Sequence, residues 1–174
     1  GSMAGYKIEQ ARRALKLCLG HMNPGDGFNI LGFSSDINEF RNGIVELDAA
    51  NRARGERFAE TLVAGGGTAI QLALRQALRY LEYGGSPDRP KAIIFLTDGM
   101  GDRPAQVTLK KVAQWNDLEA RLFVFGVGTD VNADFLDQLA RQGRGKFVHV
   151  KQADQLEQVV SSFYAGISKP VLTD

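Results

Sequence analysis

The sequence predicts an α/β protein with a doubly wound, mostly parallel sheet and helices on both faces. The stretch Lys91–Gly99, KAIIFLTDG, carries five consecutive apolar residues and ends on Thr97, Asp98 and Gly99. A short apolar run without alternation is typical of a parallel strand that is buried on both faces. Strand-like and helix-like segments alternate along the rest of the chain, as right-handed βα units require.

Composition limits the classes of function. The chain has 174 residues, 44% of them hydrophobic, which is enough for one well-buried core. Its 21 Lys and Arg balance 20 Asp and Glu, so charge gives no attraction to nucleic acid or to an anionic membrane. The single cysteine, Cys18, excludes an internal disulfide and a multi-cysteine zinc site. No apolar run approaches the roughly 20 residues that span a bilayer.

The first half of the chain contains two helical patterns and two strand patterns. Apolar residues recur at helical spacing over Lys7–Leu19, and Gly20 is expected to end that helix. Phe28–Phe33 is predicted as a strand, and Ile44–Leu47 as a short strand at a sheet edge. Ala49–Val63 has a helical pattern and leads into a glycine-rich loop.

The second half continues the alternation after that loop. Its predicted elements, in order, are a helix over Ile70–Tyr83, the central strand Ala92–Leu96, a helix over Ala105–Trp115, a strand Leu122–Val127, a helix over Ala133–Arg141, a strand Phe147–Val150 and a helix over Gln155–Tyr164.

Two oxygen-bearing residues are the candidate site. Asp98 follows the central strand, where parallel sheets place their working residues, although Asp-Gly is also a common turn pair. Thr68 follows the glycines Gly65–Gly67 and is either a helix N-cap or a ligand. A P-loop would need Lys where Gly67 stands. Two hard oxygen donors on loops at one end of the sheet suit Mg²⁺ or another hard divalent cation.

Two histidines are the other candidates for chemistry. His21 lies just past a helix end and His149 within a strand, and neither has a partner Ser or Cys in an evident nucleophile motif. We interpret both as structural.

The order of several motifs resembles a known family. The helix KIEQARRAL, the strand FNILGFSS, the loop GGGTAI, the stretch IIFLTDG and the strand LFVFGVG together resemble a von Willebrand factor A (VWA) domain. The resemblance covers nearly all of the chain. It is strongest to the A domains of inter-alpha-trypsin inhibitor heavy-chain-type (VIT) proteins, partly because the closing ISKPVLTD is similar to the exit segment there. It implies a VWA-like domain over 1–166 and an exit segment over 167–174.

The resemblance also implies a metal-ion-dependent adhesion site (MIDAS). Thr68 and Asp98 match its GGT and TDG loops. Gly1-Ser2-Met3 is either an expression scar or the end of the family's Asp-x-Ser-Gly-Ser-Met loop, in which case Ser2 is a third ligand. The Asp and first Ser of that loop are absent, so the site is incomplete in this chain. Partner-binding positions implied beside the cation are Gly67, Gly99 and Met100.

By resemblance, the expected function is protein binding or adhesion, without catalysis. A cation, Mg²⁺ or another divalent ion, would accept a carboxylate from a protein partner. The alternatives are a metal-assisted hydrolase that uses the same cleft and a purely structural module. No nucleic acid or membrane insertion is expected. The residues leave localisation open, and the resemblance favours an extracellular, periplasmic or cell-surface location.

The resemblance further implies that a central strand is absent between Phe28–Phe33 and Ala92–Leu96. Its loss would expose two strand edges and apolar helix positions such as Ile8, Leu15 and Leu74. We therefore expect the gap to be closed, either because the two strands pair directly or because an outside segment fills it, for example through self-association. Ile167–Leu172 is a poor donor because Pro170 lacks an amide hydrogen.

Overall fold

A computed structural model describes residues 5–63, 69–97 and 104–167 of the chain. The helices are α1 Tyr6–His21, α2 Ala49–Thr61, α3 Ile70–Gly84, α4 Ala105–Trp115, α5 Ala133–Gln142 and α6 Leu156–Ile167. The strands are β1 Gly27–Phe28, β2 Leu31–Phe33, β3 Ile37–Glu39, β4 Val45–Glu46, β5 Ala92–Thr97, β6 Arg121–Val127 and β7 Phe147–Val150.

A parallel sheet with the order β5-β6-β7 forms the centre of the second half. Ala92 pairs with Arg121 at one end of the β5–β6 ladder, and Val124 pairs with Phe147 in the β6–β7 ladder. In β6 every residue after Arg121 is buried, as expected of a strand with neighbours on both edges and helices on both faces. The predicted α/β fold with a parallel sheet and its alternating helices is confirmed.

The first half holds two small antiparallel pairs, β1 with β4 and β2 with β3. The strand predicted over Phe28–Phe33 is therefore divided in two. The side chain of Asn29 accounts for the break, because its Oδ1 accepts the amide hydrogens of Ile30 (2.8 Å) and Arg41 (3.1 Å), and its Nδ2 donates to the Arg41 carbonyl (2.8 Å). These side-chain bonds replace ladder bonds at this position.

One further strand and one helix end differ from the sequence prediction. Strand β3 was not predicted, since only three residues pair after the turn at Ser34. Helix α1 continues through Gly20 to His21, because an exposed glycine in a last turn is tolerated and the helix stops only ahead of Pro24. Over the described ranges, no helix is both long and apolar enough to cross a membrane.

Within the part of the chain that the structure describes, the buried apolar residues form three clusters. Cluster one joins α3, α4 and α5 to one face of the parallel sheet, with Leu74, Phe95 and Leu136 among its members. Cluster two joins α1 and α6 to the other face, around Phe125. Cluster three lies under the antiparallel pairs and contains Phe28. Because a single domain usually has one contiguous core, the separation of cluster three from the others marks a boundary inside the fold.

That boundary falls between β2 and β5, and we call it the inter-sheet gap. The two strands belong to different sheets, so of the two expected ways of closing the gap, direct pairing of these strands is wrong. Phe33 and Phe95 instead stack across the gap with ring centroids 5.4 Å apart. Leu74, which an open gap would expose, is 1% exposed because it packs in cluster one. Ile8 and Leu15 are half-buried against cluster three.

Candidate functional site

The sequence-predicted site residues fall in the parts of the chain that the structure does not describe. These residues are Ser2, Gly67, Thr68, Asp98, Gly99 and Met100. They stay predictions. The described residues on either side of their loops show where each loop is anchored.

The glycine-rich loop ends at Ala69, beside the end of β2. The amide of Ala69 donates a 2.7 Å hydrogen bond to the carbonyl of Ser34, the residue that follows β2. Ile70 then begins α3 and is 1% exposed in cluster one. Ala69 occupies the N-cap position of α3, and its side chain makes no capping hydrogen bond. The end of β2 and the start of α3 are thus held together.

The loop with Asp98 connects the end of β5 to the start of α4. Thr97, the last residue of β5, is 2% exposed, and α4 begins at Ala105. In the first turns of α3 and α4, the Gln71 Nε2 donates a 3.0 Å hydrogen bond to the Thr108 Oγ1. The two loops therefore lead into helices whose first turns are adjacent. Helix N-termini carry partial positive charge, which favours anionic groups.

The neighbouring strand ends at a residue with an unusual backbone conformation. Gly128 has φ 108° and donates its amide hydrogen to the Val150 carbonyl at 2.8 Å. A side chain there would meet Lys7, since a Cβ would lie 2.6 Å from the Lys7 Nζ. The His149 Nε2 lies 2.8 Å from the Gly128 carbonyl oxygen. Only glycine suits this turn, and the hydrogen bond of His149 agrees with its structural interpretation.

The second histidine has contacts of the same kind. The His21 Nε2 lies 3.2 Å from the Ser161 Oγ, and its ring stacks on Tyr164 at 5.5 Å. These contacts attach the end of α1 to α6. Within 5–63, 69–97 and 104–167, no group of three His, Cys, Asp or Glu residues could hold a metal ion.

Sequence reasoning missed two contacts that hold the site's surroundings in place. The Ala69–Ser34 bond joins segments that are distant in the chain, and the Gln71–Thr108 bond joins two helices whose polar residues look solvent-facing. No local pattern marks either contact, because each depends on the tertiary arrangement.

The parallel sheet and the helices on both of its faces limit the class of protein. The family model described as von Willebrand factor type A domain matches residues 1–149, and the chain belongs to that family. Among individual proteins, it is 33% identical over 183 residues to inter-alpha-trypsin inhibitor heavy chain H4 of Homo sapiens. That match covers 99% of this chain but 20% of the relative. The chain thus spans about a fifth of the length of the curated relatives it matches.

Solved structures show the same fold. A von Willebrand factor type A protein from Catenulispora acidiphila matches with a TM-score of 0.84 and 22% identity, over 92% of this chain and 38% of that chain. Proximal thread matrix protein 1 from the mussel byssus, in a structure described as having a zinc-occupied MIDAS motif, matches with a TM-score of 0.70 and 18% identity. That match covers 90% of this chain and 42% of the mussel protein.

Proposed function

We propose that this chain is a protein-binding or adhesion module that recognises a partner carboxylate through a divalent cation. Asp98 and Thr68 hold the cation, and Ser2 is a third ligand if its loop is native. The positions beside the cation that contact the partner are Gly67, Gly99 and Met100.

The observation that carries this proposal is the contact between the first turns of α3 and α4. The Gln71–Thr108 hydrogen bond holds together the helices that follow the two ligand-bearing loops. Thr68 immediately precedes Ala69, and Asp98 immediately follows Thr97. Membership of the VWA family and the zinc-occupied MIDAS of a relative with the same fold support the same interpretation.

The donor chemistry fits a hard cation bound weakly. One carboxylate and two hydroxyls are oxygen donors that Mg²⁺ accepts while it keeps several waters. A bound cation would supply an exchangeable position for a partner's carboxylate. Because affinity rises with the number of charged ligands, a site with one carboxylate should bind Mg²⁺ weakly or not at all. Calorimetry that shows tight Mg²⁺ binding, abolished by Asp98→Ala, would contradict this weak site.

The location of the site can be tested with Mn²⁺ as a paramagnetic substitute for Mg²⁺. We expect NMR line broadening to centre on the amides of Ala69 and Thr97, which flank the two ligands. Asp98→Ala should remove the broadening, whereas Asp88→Ala, in an exposed loop, should leave it unchanged. Broadening that survives Asp98→Ala would show that the cation binds elsewhere.

The carboxylate preference can be tested with acetate as the probe. In the presence of Mg²⁺, acetate should shift the same amide signals, and methylammonium at equal ionic strength should not. Acetate shifts that are equal with and without Mg²⁺ would contradict cation-mediated recognition. If Mg²⁺ and acetate both leave the spectrum unchanged, the chain is a structural module.

The proposal includes no catalysis. Generic esters and phosphate esters should be stable in the presence of the protein, with and without Mg²⁺. Turnover that requires Mg²⁺ and is lost in Asp98→Ala would favour the hydrolase alternative. We also propose that residues 1–166 act as one VWA-like domain, that 167–174 lead toward a following domain, and that the module works outside the cell, in a periplasm or at a cell surface.

A further inference from the structure

Two exposed hydrophobic side chains lie at the starts of neighbouring helices. Leu72, in the first turn of α3, is 50% exposed, and Val107, in the first turn of α4, is 42% exposed. Each is adjacent in sequence to one member of the hydrogen-bonded pair Gln71 and Thr108, so both lie at one end of the surface that α3 and α4 share. A single exposed hydrophobic residue is normal, so the pair gains meaning only from the charges beside it.

The rest of the exposed surface of these two helices is basic. Glu82 is the only carboxylate in α3 and α4. Leu72 and Arg75 are three positions apart on α3, and Val107 and Lys111 are four positions apart on α4, so each pair shares a helix face. The exposed cations on the two helices are Arg75, Arg79, Lys110 and Lys111. The whole chain has a net charge of only +1, so this concentration of positive charge is local.

Among the described residues, the cations of α3 and α4 have no carboxylate partner. The five ion pairs that those residues form all lie outside these two helices. On α1, by contrast, Glu9 pairs with Arg12 and Arg13, and Lys16 pairs with Glu60 of α2. The chain therefore neutralises part of the charge on the surface of α1 and α2, but not the charge on the surface of α3 and α4.

Two of these cations converge on a tryptophan at the end of α4. The Arg75 Cζ lies 5.5 Å from the centroid of the Trp115 ring, and the Lys111 Nζ lies 6.0 Å from it. Each cation is attracted to the face of the ring, but the two repel each other when no anion lies between them. A carboxylate placed beside the ring would attract both. We call Leu72, Arg75, Val107, Lys111 and Trp115 the α3–α4 surface.

The apolar and basic ends of the α3–α4 surface are separated by a distance that a short peptide can cover. Val107 and Trp115 are about eight positions apart on one helix, which corresponds to about 12 Å. An extended peptide covers that distance in about four residues.

We propose that the α3–α4 surface binds a short acidic segment of a partner protein, in which an apolar residue lies about four positions from a group of carboxylates. The carboxylates contact Arg75 and Lys111 beside Trp115, and the apolar side chain covers Leu72 and Val107. Charge complementarity selects an anionic partner. The exposed leucine and valine favour a peptide over a polyphosphate or a sulfated sugar, because those polyanions have no apolar group to cover them. This docking needs no cation, so it and the proposed adhesion site can fail independently.

The fluorescence of Trp115 reports directly on this surface, because it is the only tryptophan of the chain. The probe is a synthetic peptide without tryptophan that has a central Leu-Leu pair, a spacer of Gly and Ser on each side, and three Asp or Glu residues at each end. Its symmetry lets it bind in either chain direction. Fluorescence anisotropy of a labelled copy measures the affinity, and the emission of Trp115 with an unlabelled copy locates the binding. Both are measured at low ionic strength in the presence of EDTA.

Two control peptides separate the contributions of charge and apolar contact. One carries Asn and Gln in place of Asp and Glu, and the other carries Ser in place of both leucines. We expect the acidic peptide to change the emission of Trp115 and to bind about tenfold or more tightly than either control. Equal binding of the amide peptide would show that charge does not select the partner, and equal binding of the serine peptide would show that any polyanion suffices. Either result would overturn the proposal.

The location and the independence from a cation have their own decisive outcomes. Binding that leaves the emission of Trp115 unchanged would place the peptide elsewhere and overturn the proposal. Binding that occurs with Mg²⁺ but not in EDTA would also overturn it, although that result would support the proposed adhesion site.

Charge variants test the basic end against a matched surface. Arg75→Gln combined with Lys111→Gln should weaken binding of the acidic peptide about tenfold or more. Arg54 and Arg57 are exposed on α2, so Arg54→Gln combined with Arg57→Gln removes the same charge from another face. This control should change the affinity by less than about twofold, since charges beyond a Debye length are largely screened. Equal losses in the two double variants would overturn the proposal, because only the net charge would then matter.

A second pair of variants tests the apolar end. Leu72→Gln should weaken binding about threefold or more, because the partner's apolar residue loses its contact. Tyr83→Gln is the control, since Tyr83 is 80% exposed near the other end of α3. It should leave the affinity nearly unchanged, and equal losses in Leu72→Gln and Tyr83→Gln would contradict the assigned contact.

Discussion

At the scale of single residues, Gly145 is required by a close approach of two backbones. A Cβ at this position would overlap the carbonyl oxygen of Leu122, the second residue of β6. Gly145→Ala should therefore lower the free energy of unfolding by about 3 kcal/mol or more, because the backbone of β6 must shift to make room. Gly20→Ala is the matched control, since nothing lies within 4 Å of its added methyl group. In urea denaturation the free energy of unfolding of Gly20→Ala should rise by up to about 1 kcal/mol. Equal losses in both variants would contradict the steric explanation.

Cys18 gives the protein a predictable response to alkaline pH. Burial raises the pKa of its thiol from the ordinary 9.0 to about 12. The unfolded chain therefore ionises first, so the stabilisation is complete below pH 9 and is lost as pH rises toward 12. Burial raises the pKa of the neighbouring Tyr164 to about 12 as well. Cys18→Ala should flatten the fall in unfolding free energy between pH 8.5 and about 11.

The control for this pH effect is Leu19→Ala, a destabilised variant without a lost titratable group. It should keep the pH dependence of the parent chain in the same urea titrations. A Cys18→Ala chain whose stability falls as steeply as that of Leu19→Ala would show that the thiol does not contribute. The buried thiol should also react slowly with a disulfide reagent until the chain unfolds.

At the scale of elements, the described residues pair with Ala92–Leu96 on the β6 edge only, which predicts an asymmetric tolerance for proline. Ala92 is exposed, and its amide points to the inter-sheet gap. Ala92→Pro removes this amide and should lower the free energy of unfolding by at most about 1 kcal/mol. Ile93→Pro removes an amide that donates to β6 and should cost about 3 kcal/mol or more. Thermal unfolding of both variants measures the difference. Similar losses would mean that both edges of β5 are already paired.

The elements also show what sequence could and could not predict. Long periodic helices such as α3 and fully apolar strands such as β6 were predicted nearly to their ends, since each owes its pattern to its own burial. The division of Phe28–Phe33 by Asn29 was not predictable, because the side chain bonds to Arg41, twelve residues away. Strand β3 is too short to carry a pattern of its own.

For the candidate site too, some residues could be predicted from the sequence and others could not. Thr68 and Asp98 were found from local chemistry and remain predictions. The contacts that anchor their loops depend on segments distant in sequence, such as Ala69 with Ser34 and Gln71 with Thr108, so only the fold reveals them.

At the scale of the whole molecule, the three separate clusters predict uneven stability. The antiparallel half consists of two-stranded sheets with strands of two or three residues, a size that is marginal without support. In the parallel half, β6 is hydrogen-bonded to a strand on each of its edges. Because the halves are joined by α1 and α3 rather than by a continuous sheet, the antiparallel half should open by itself.

Native-state hydrogen exchange at increasing urea concentrations measures these openings. The amide of Gly32, in the β2–β3 pair, should exchange through an opening that costs at least about 2 kcal/mol less than that of Val124 in β6. Leu62→Ala, in cluster three, should lower the opening energy of Gly32 and leave that of Val124 nearly unchanged, whereas Leu136→Ala, in cluster one, should lower both. If Gly32 and Val124 instead merge at one opening energy in the parent chain and both variants, the two halves form a single cooperative unit, because their stability is coupled despite the gap.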